Sequence, residues 1–266
     1  MGLDAYVPCR CLAEGLVEDP PVPWSMLGTA GGLPYLKRDC LGEERDEDTD
    51  RKWWALYEKL CDWREASCQH WGMEICSARV GSWPEVSVFR SYVSRFDDGQ
   101  LSTLRNLLPH RNSGSVSPEQ ASAVLSELDL LCERAVGCPG WFLVDADTGE
   151  EEYDYNPRWG GNWAFSHGGI SCGFDPAGIF VRKDDVEVFR SMAVQQRVKY
   201  EDDRDVVTFI GDDGSQFTFD GMGFGRDDLD LKVVARPLVQ DDIPCVKPLR
   251  ELFQASIETD TPVYWC

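Results

Sequence analysis

The stretch SPEQASAVLSELDLLCERAVG (residues 117–137) runs directly into CPGWFLVDADTGEEEYDY (138–155), and the change of rhythm between them decides the fold. The first half is written as a helix. Ser117 stands at the cap, Pro118 at the first position, Gln120 completes a capping box, and Gly137 follows the last turn. The second half alternates and turns: WFLVDADTGEEEYDY reads as a hairpin around Asp147, Thr148 and Gly149.

Upstream of this junction the helical reading continues. The charge run GEERDEDTD (42–50) ends where a helix should begin, with Thr49 or Asp50 as its cap. Trp53, Leu56, Tyr57, Leu60 and Trp63 then keep helical spacing to about Ser67. SWPEVSVFRSYVSRF (82–96) is capped by Ser82 and repeats its apolar residues at Val86, Phe89, Val93 and Phe96. GQLSTLRNLLP (99–109) is a short amphipathic piece stopped by Pro109. Residues 43–137 therefore read as mainly helical, and residues 1–42 as an irregular, Pro- and Gly-rich segment with a strand or two.

Downstream the hairpin signals repeat. SCGFDPAGIFVRKDDVEVFRSM (171–192) turns at Asp175–Gly178 and again at Asp184 and Asp185, and VVTFIGDDGSQFTFDG (206–221) turns at Asp212, Asp213 and Gly214. A last helix over Val246–Glu258 precedes a short strand in PVYWC. The expected fold class is α+β: a helical N-terminal region packed on a mostly antiparallel β-meander, with a C-terminal helix and a short final strand. The chain, 1–266, is expected to be one domain or two closely fused lobes, since no linker or repeat divides it.

Charge is the strongest global signal. The chain holds 47 acidic and 26 basic residues, a net charge of −21, with the excess leaning to the half after Cys138. Such a surface repels nucleic acid and anionic membranes and attracts basic partners. Glu150, Glu151, Glu152, Asp184, Asp185, Asp202, Asp203, Asp212, Asp213, Asp227 and Asp228 all fall at turns, where acids are ordinary solvated loop residues. Alternate turns of a meander emerge at one end, so these loops could also form a negative rim. The leading functional expectation is an acidic cytoplasmic binding protein, in its most concrete form an immunity protein that occludes the active site of a basic toxin or nuclease. No apolar run reaches the roughly 20 residues of a membrane span, and no signal peptide is visible.

Two constellations carry alternatives. Trp159, Trp163 and His167, in YNPRWGGNWAFSHGGISCGFD (155–175), could line a small-ligand pocket, with Cys172 near His167. The competing reading is a glycine-containing turn whose aromatics pack on a sheet. The other is CDWREASCQHWGMEIC (61–76). There Cys68-x-His70, together with Cys9-x-Cys11, supplies three thiols and an imidazole, a set zinc accepts in tetrahedral geometry. Cys61 or Cys76 could replace a member, and buried thiols are the competing reading for all eleven cysteines. Their odd number and irregular spacing argue against a disulfide framework. DADTGEE (145–151) places its glycine out of register for a calcium loop, and GMGFGR (221–226) fits no phosphate-binding pattern. No nucleophile elbow, HExxH or CxxC is present, which leans the reading away from an enzyme.

Overall fold

The computed structural model describes residues 2–42, 46–155, 162–201, 203–225 and 227–266, with backbone alone for Asp154 and 162–167. Along the chain come β1 (Gly2–Pro8), β2 (Leu27–Ala30), β3 (Leu33–Leu36), α1 (Glu47–Ala66), β4 (Glu74–Ser82), α2 (Trp83–Phe96), α3 (Ser102–Leu107), β5 (Ser115–Val116) and α4 (Pro118–Ala135). Next are β6 (Pro139–Asp145), β7 (Glu151–Asp154), β8 (Asn162–His167), β9 (Ile170–Asp175), β10 (Gly178–Lys183) and β11 (Val186–Ser191). β12 (Ala193–Glu201), β13 (Arg204–Gly211), β14 (Gln216–Asp220), β15 (Leu229–Pro237), α5 (Val246–Thr259) and β16 (Val263–Trp265) complete it. The fold is α+β, with antiparallel sheets.

Two compact units divide the chain: Met1–Leu131 with Pro244–Cys266, and Cys132–Ile243. In the first, the sheet order is β4-β1-β16-β5, and α2 and α5 pack on β4 and β1. β1 alternates inward through Leu3, Ala5 and Val7, while α2 buries Val86, Phe89 and Val93 and α5 buries Leu249, Leu252 and Phe253. Each of these Val, Leu and Phe side chains contributes about 1.5–3 kcal/mol by leaving water. β4, a nine-residue strand, interrupts the region read from sequence as helical. The C-terminal helix and final strand belong to this unit, because β16 pairs with β1. Helix α1 starts earlier than its expected cap: the extended Asp46 accepts the Thr49 N–H at 2.7 Å, so the preceding acids enter the first turn. Leu60 is its fully buried residue, whereas Cys61 is only half-buried.

In the second unit the meander divides into two sheets. One runs β11-β10-β9-β8 and the other β14-β13-β12-β15-β6-β7. Cys172, Phe174, Ile179 and Val181 of the first share a core with Leu143, Val207, Phe209, Phe219, Leu231 and Val233 of the second. The return of β15 to lie between β12 and β6 is a long-range pairing that hairpin signals do not encode.

Candidate metal centre

Cys9 follows the last residue of β1, and His70 precedes the short 3₁₀ turn Trp71–Met73 that leads into β4. β1 and β4 are antiparallel neighbours with Pro8 opposite Glu74, so the end of one strand and the start of the other lie together. The Cys9 N–H donates to the Met73 carbonyl at 2.8 Å and ties the two loops directly. That pairing brings Cys9 to Cys68, 59 residues away in sequence.

The four donor atoms of Cys9, Cys11, Cys68 and His70 all lie within 4.8 Å of one another. Cys9 Sγ is 3.8 Å from Cys68 Sγ, and His70 Nδ1 is 3.4 Å from Cys11 Sγ and 3.9 Å from Cys68 Sγ. With zinc–sulfur bonds of 2.3 Å and zinc–nitrogen bonds near 2.05 Å, a tetrahedron requires about 3.8 Å between sulfurs and about 3.6 Å between sulfur and nitrogen. The Cys9–Cys68, Cys11–His70 and Cys68–His70 spacings lie within about 0.4 Å of those edges, and the other three are under 4.8 Å. Nδ1 is the ring nitrogen turned toward the thiols.

The surroundings explain how the set is held. Beneath it, Leu33 and Met73 are buried with Cys9 and Cys11, flanked by Tyr6, Val17, Trp63 and Ile75. The last turns of α1 grip both loops: the Trp63 indole N–H donates to the Glu18 carbonyl at 3.2 Å, and Arg64 Nη2 donates to the Gly72 carbonyl at 3.2 Å. Leu16 N–H donates to the Cys11 carbonyl at 2.8 Å. Burial pushes the Cys9 thiol up to about 12 and raises that of Cys11, because a thiolate there lacks solvation. A divalent cation among the sulfurs would supply the missing charge and reverse that preference. Sequence spacing had brought out the four donors but not their supports Trp63 and Arg64; Trp63 was legible only as a member of the helical period. Cys61 and Cys76 lie outside the group.

The other constellations fare differently. Trp159 and Asp202 lie outside the described residues, as do the side chains of Trp163 and His167. Cys172 is fully buried in the core of its unit, which accounts for it as a packing residue. Strand order places the 146–150 turn, Asp203 and the segment with Asp227 and Asp228 at one end of the six-stranded sheet, and Asp212 and Asp213 at the other. Asp184 and Asp185 turn between β10 and β11 of the other sheet, both at positive φ. Several of these acids have internal work: Glu151 receives two hydrogen bonds from Arg236, Asp212 one from Ser191, and Asp228 one from the Val198 N–H. Glu150 and Glu152 stand exposed on either side of Glu151. Asp145 accepts from Asp147 and Thr148 N–H, so DADTGEE is a self-capped hairpin turn.

Among the described residues no helix is long and apolar enough to cross a membrane. No protein-family model, curated protein sequence or solved structure matches this chain.

Proposed function

We propose that this protein is a zinc-stabilised interaction module, in which Cys9, Cys11, Cys68 and His70 hold one Zn²⁺. The carrying observation is that three thiols and an imidazole converge within 4.8 Å, with three of their six spacings near the edges of a zinc tetrahedron. Four protein ligands leave no open position, so the ion acts as a cross-link that fastens the loop after β1 to the loop before β4. The same loops carry Leu16 and Trp71, 67% and 69% exposed, as apolar tips held out by the cross-link. Protein purified without chelator is expected to retain one zinc per chain by plasma mass spectrometry. Cys68→Ser and His70→Ala should each weaken retention by about 10-fold or more in competition with a chelating dye. A metal-free sample that is fully folded rejects the reading.

A second reading, neutralisation of a basic toxin or nuclease, is favoured by the net charge of −21 and by the turns at 146–150, Asp203 and Asp227–Asp228, which share one end of the six-stranded sheet. Steering by such a surface makes association fast and salt-sensitive. Association with a candidate basic nuclease should slow steeply between low and high salt. A salt-independent rate, or no binding, removes this reading.

A further inference from the structure

Helix α1 carries an exposed aromatic platform separate from the four metal donors. Trp53 is its fixed member: it packs beside the cluster of Val22, Leu27, Leu36 and Leu60, and its indole N–H donates to the Lys37 carbonyl at 3.1 Å. Tyr57, one turn on, stacks on Trp53 at 5.2 Å with ring planes 11° apart. Trp54 stands edge-on to both, at 87° and 88°. Anchored on one side, the platform is open on the other, with Trp54 57% and Tyr57 40% exposed.

The helix also sets what surrounds it. At 100° per residue, Glu47, Glu58 and Glu65 fall within about 40° of Trp54 on the outward stripe. All three are exposed. Arg51, at the margin of that stripe, lies 3.6 Å from Asp48, which also holds Lys52 at 2.8 Å. An indole face attracts a cation through its quadrupole, and the flanking carboxylates attract the same cation by charge.

We infer that this stripe docks a Lys/Arg-rich segment of a protein partner, with a guanidinium or ammonium group lying on the open face of Trp54 and further basic residues meeting Glu58 and Glu65. Charge complementarity selects this occupant. A second copy would bring a net charge of −21 against −21, and a purely apolar segment would leave the carboxylates without counter-charges.

The test uses the intact chain and a fluorescent nonapeptide of alternating arginine and alanine, followed by anisotropy at low and high salt. Binding is expected at low salt and should weaken as salt rises. Trp54→Gln should weaken it about fivefold, the combined Trp54→Gln and Tyr57→Ser variant about tenfold or more. Glu58→Gln with Glu65→Gln should flatten the salt dependence. Glu133→Gln with Asp241→Asn, exposed in the other unit and outside its acidic turns, serves as the charge control and should leave affinity unchanged. Absence of binding overturns the inference, as does loss of binding in that control without loss in Trp54→Gln. A citrulline peptide that binds equally well would reassign the stripe to apolar docking. Self-association abolished by Trp54→Gln would reassign it to a second copy. Either result overturns the inference. All substituted side chains are solvent-exposed, and unchanged thermal melting confirms that a loss is not one of folding.

Discussion

At the scale of a single residue, Gln196 shows how a polar side chain can organise a core. It is fully buried on β12, where its Oε1 accepts the Phe224 N–H at 2.9 Å and its Nε2 donates to the Asp227 carbonyl at 2.9 Å. It thereby staples the long connection between β14 and β15. Gly223 in that connection sits at φ +54°, and a Cβ there would clash with Gln196 Oε1. Gln196→Ala strands a buried N–H and a carbonyl, each costing about 1–3 kcal/mol when unpaired. The expected outcome is a lower urea midpoint. Gly223→Ala should also lower the midpoint, through left-handed backbone strain as well as the clash. The sequence does hold a signal for this residue: Gln196 falls on the same face as the inward Val194. Its partners cannot be read there, because they lie about 30 residues away.

At the scale of an element, the helix termini were the most legible features. Ser82 and Glu85 exchange hydrogen bonds across the first turn of α2, with Ser82 N–H to Glu85 Oε2 at 2.6 Å and Glu85 N–H to Ser82 Oγ at 3.3 Å. Ser117 and Gln120 do the same at α4. Ser82→Ala should cost about 1 kcal/mol, measured as a shift in the urea midpoint. Hydrogen bonding from Ser82 holds the Glu85 carboxyl below its ordinary value, and backbone N–H groups led by Leu101 do the same for Asp97. A carboxyl depressed in the folded state binds fewer protons than in the unfolded chain. Its contribution is therefore complete above the unfolded range near pH 4 and is lost as pH falls through the depressed folded value. The difference in melting temperature between the parent protein and Glu85→Gln should stay constant from neutral pH down to about pH 5 and shrink below it. Where caps competed, sequence chose less well. The acidic run before α1 offered several acceptors, and the one that caps is the one with extended backbone, Asp46.

At the scale of the whole molecule, the proposed cross-link belongs to one compact unit only. Cys9, Cys11, Cys68 and His70 lie within Met1–Leu131, whereas Cys132–Ile243 has its own two-sheet core. Chelation of the metal-loaded protein should raise amide exchange in residues 9–17 and 68–73 and the adjoining ends of β1 and β4. Protection in β9, β10, β12 and β13 should stay unchanged in the same exchange experiment.

What the sequence by itself determined is local. The helices, the caps of α2 and α4, the hairpin turns and the α+β class follow from period, capping chemistry and turn residues within a few positions of one another. The donor types of the metal group were also legible, since Cys-x-Cys and Cys-x-His are short patterns. Tertiary structure alone decided that the two pairs meet, through the pairing of β1 with β4 at Pro8 and Glu74. It likewise decided that the C-terminal strand returns to the N-terminal sheet and that β15 closes the six-stranded one. Strand pairing across tens of residues is chosen by the burial of whole faces together. No window of a single chain records that choice.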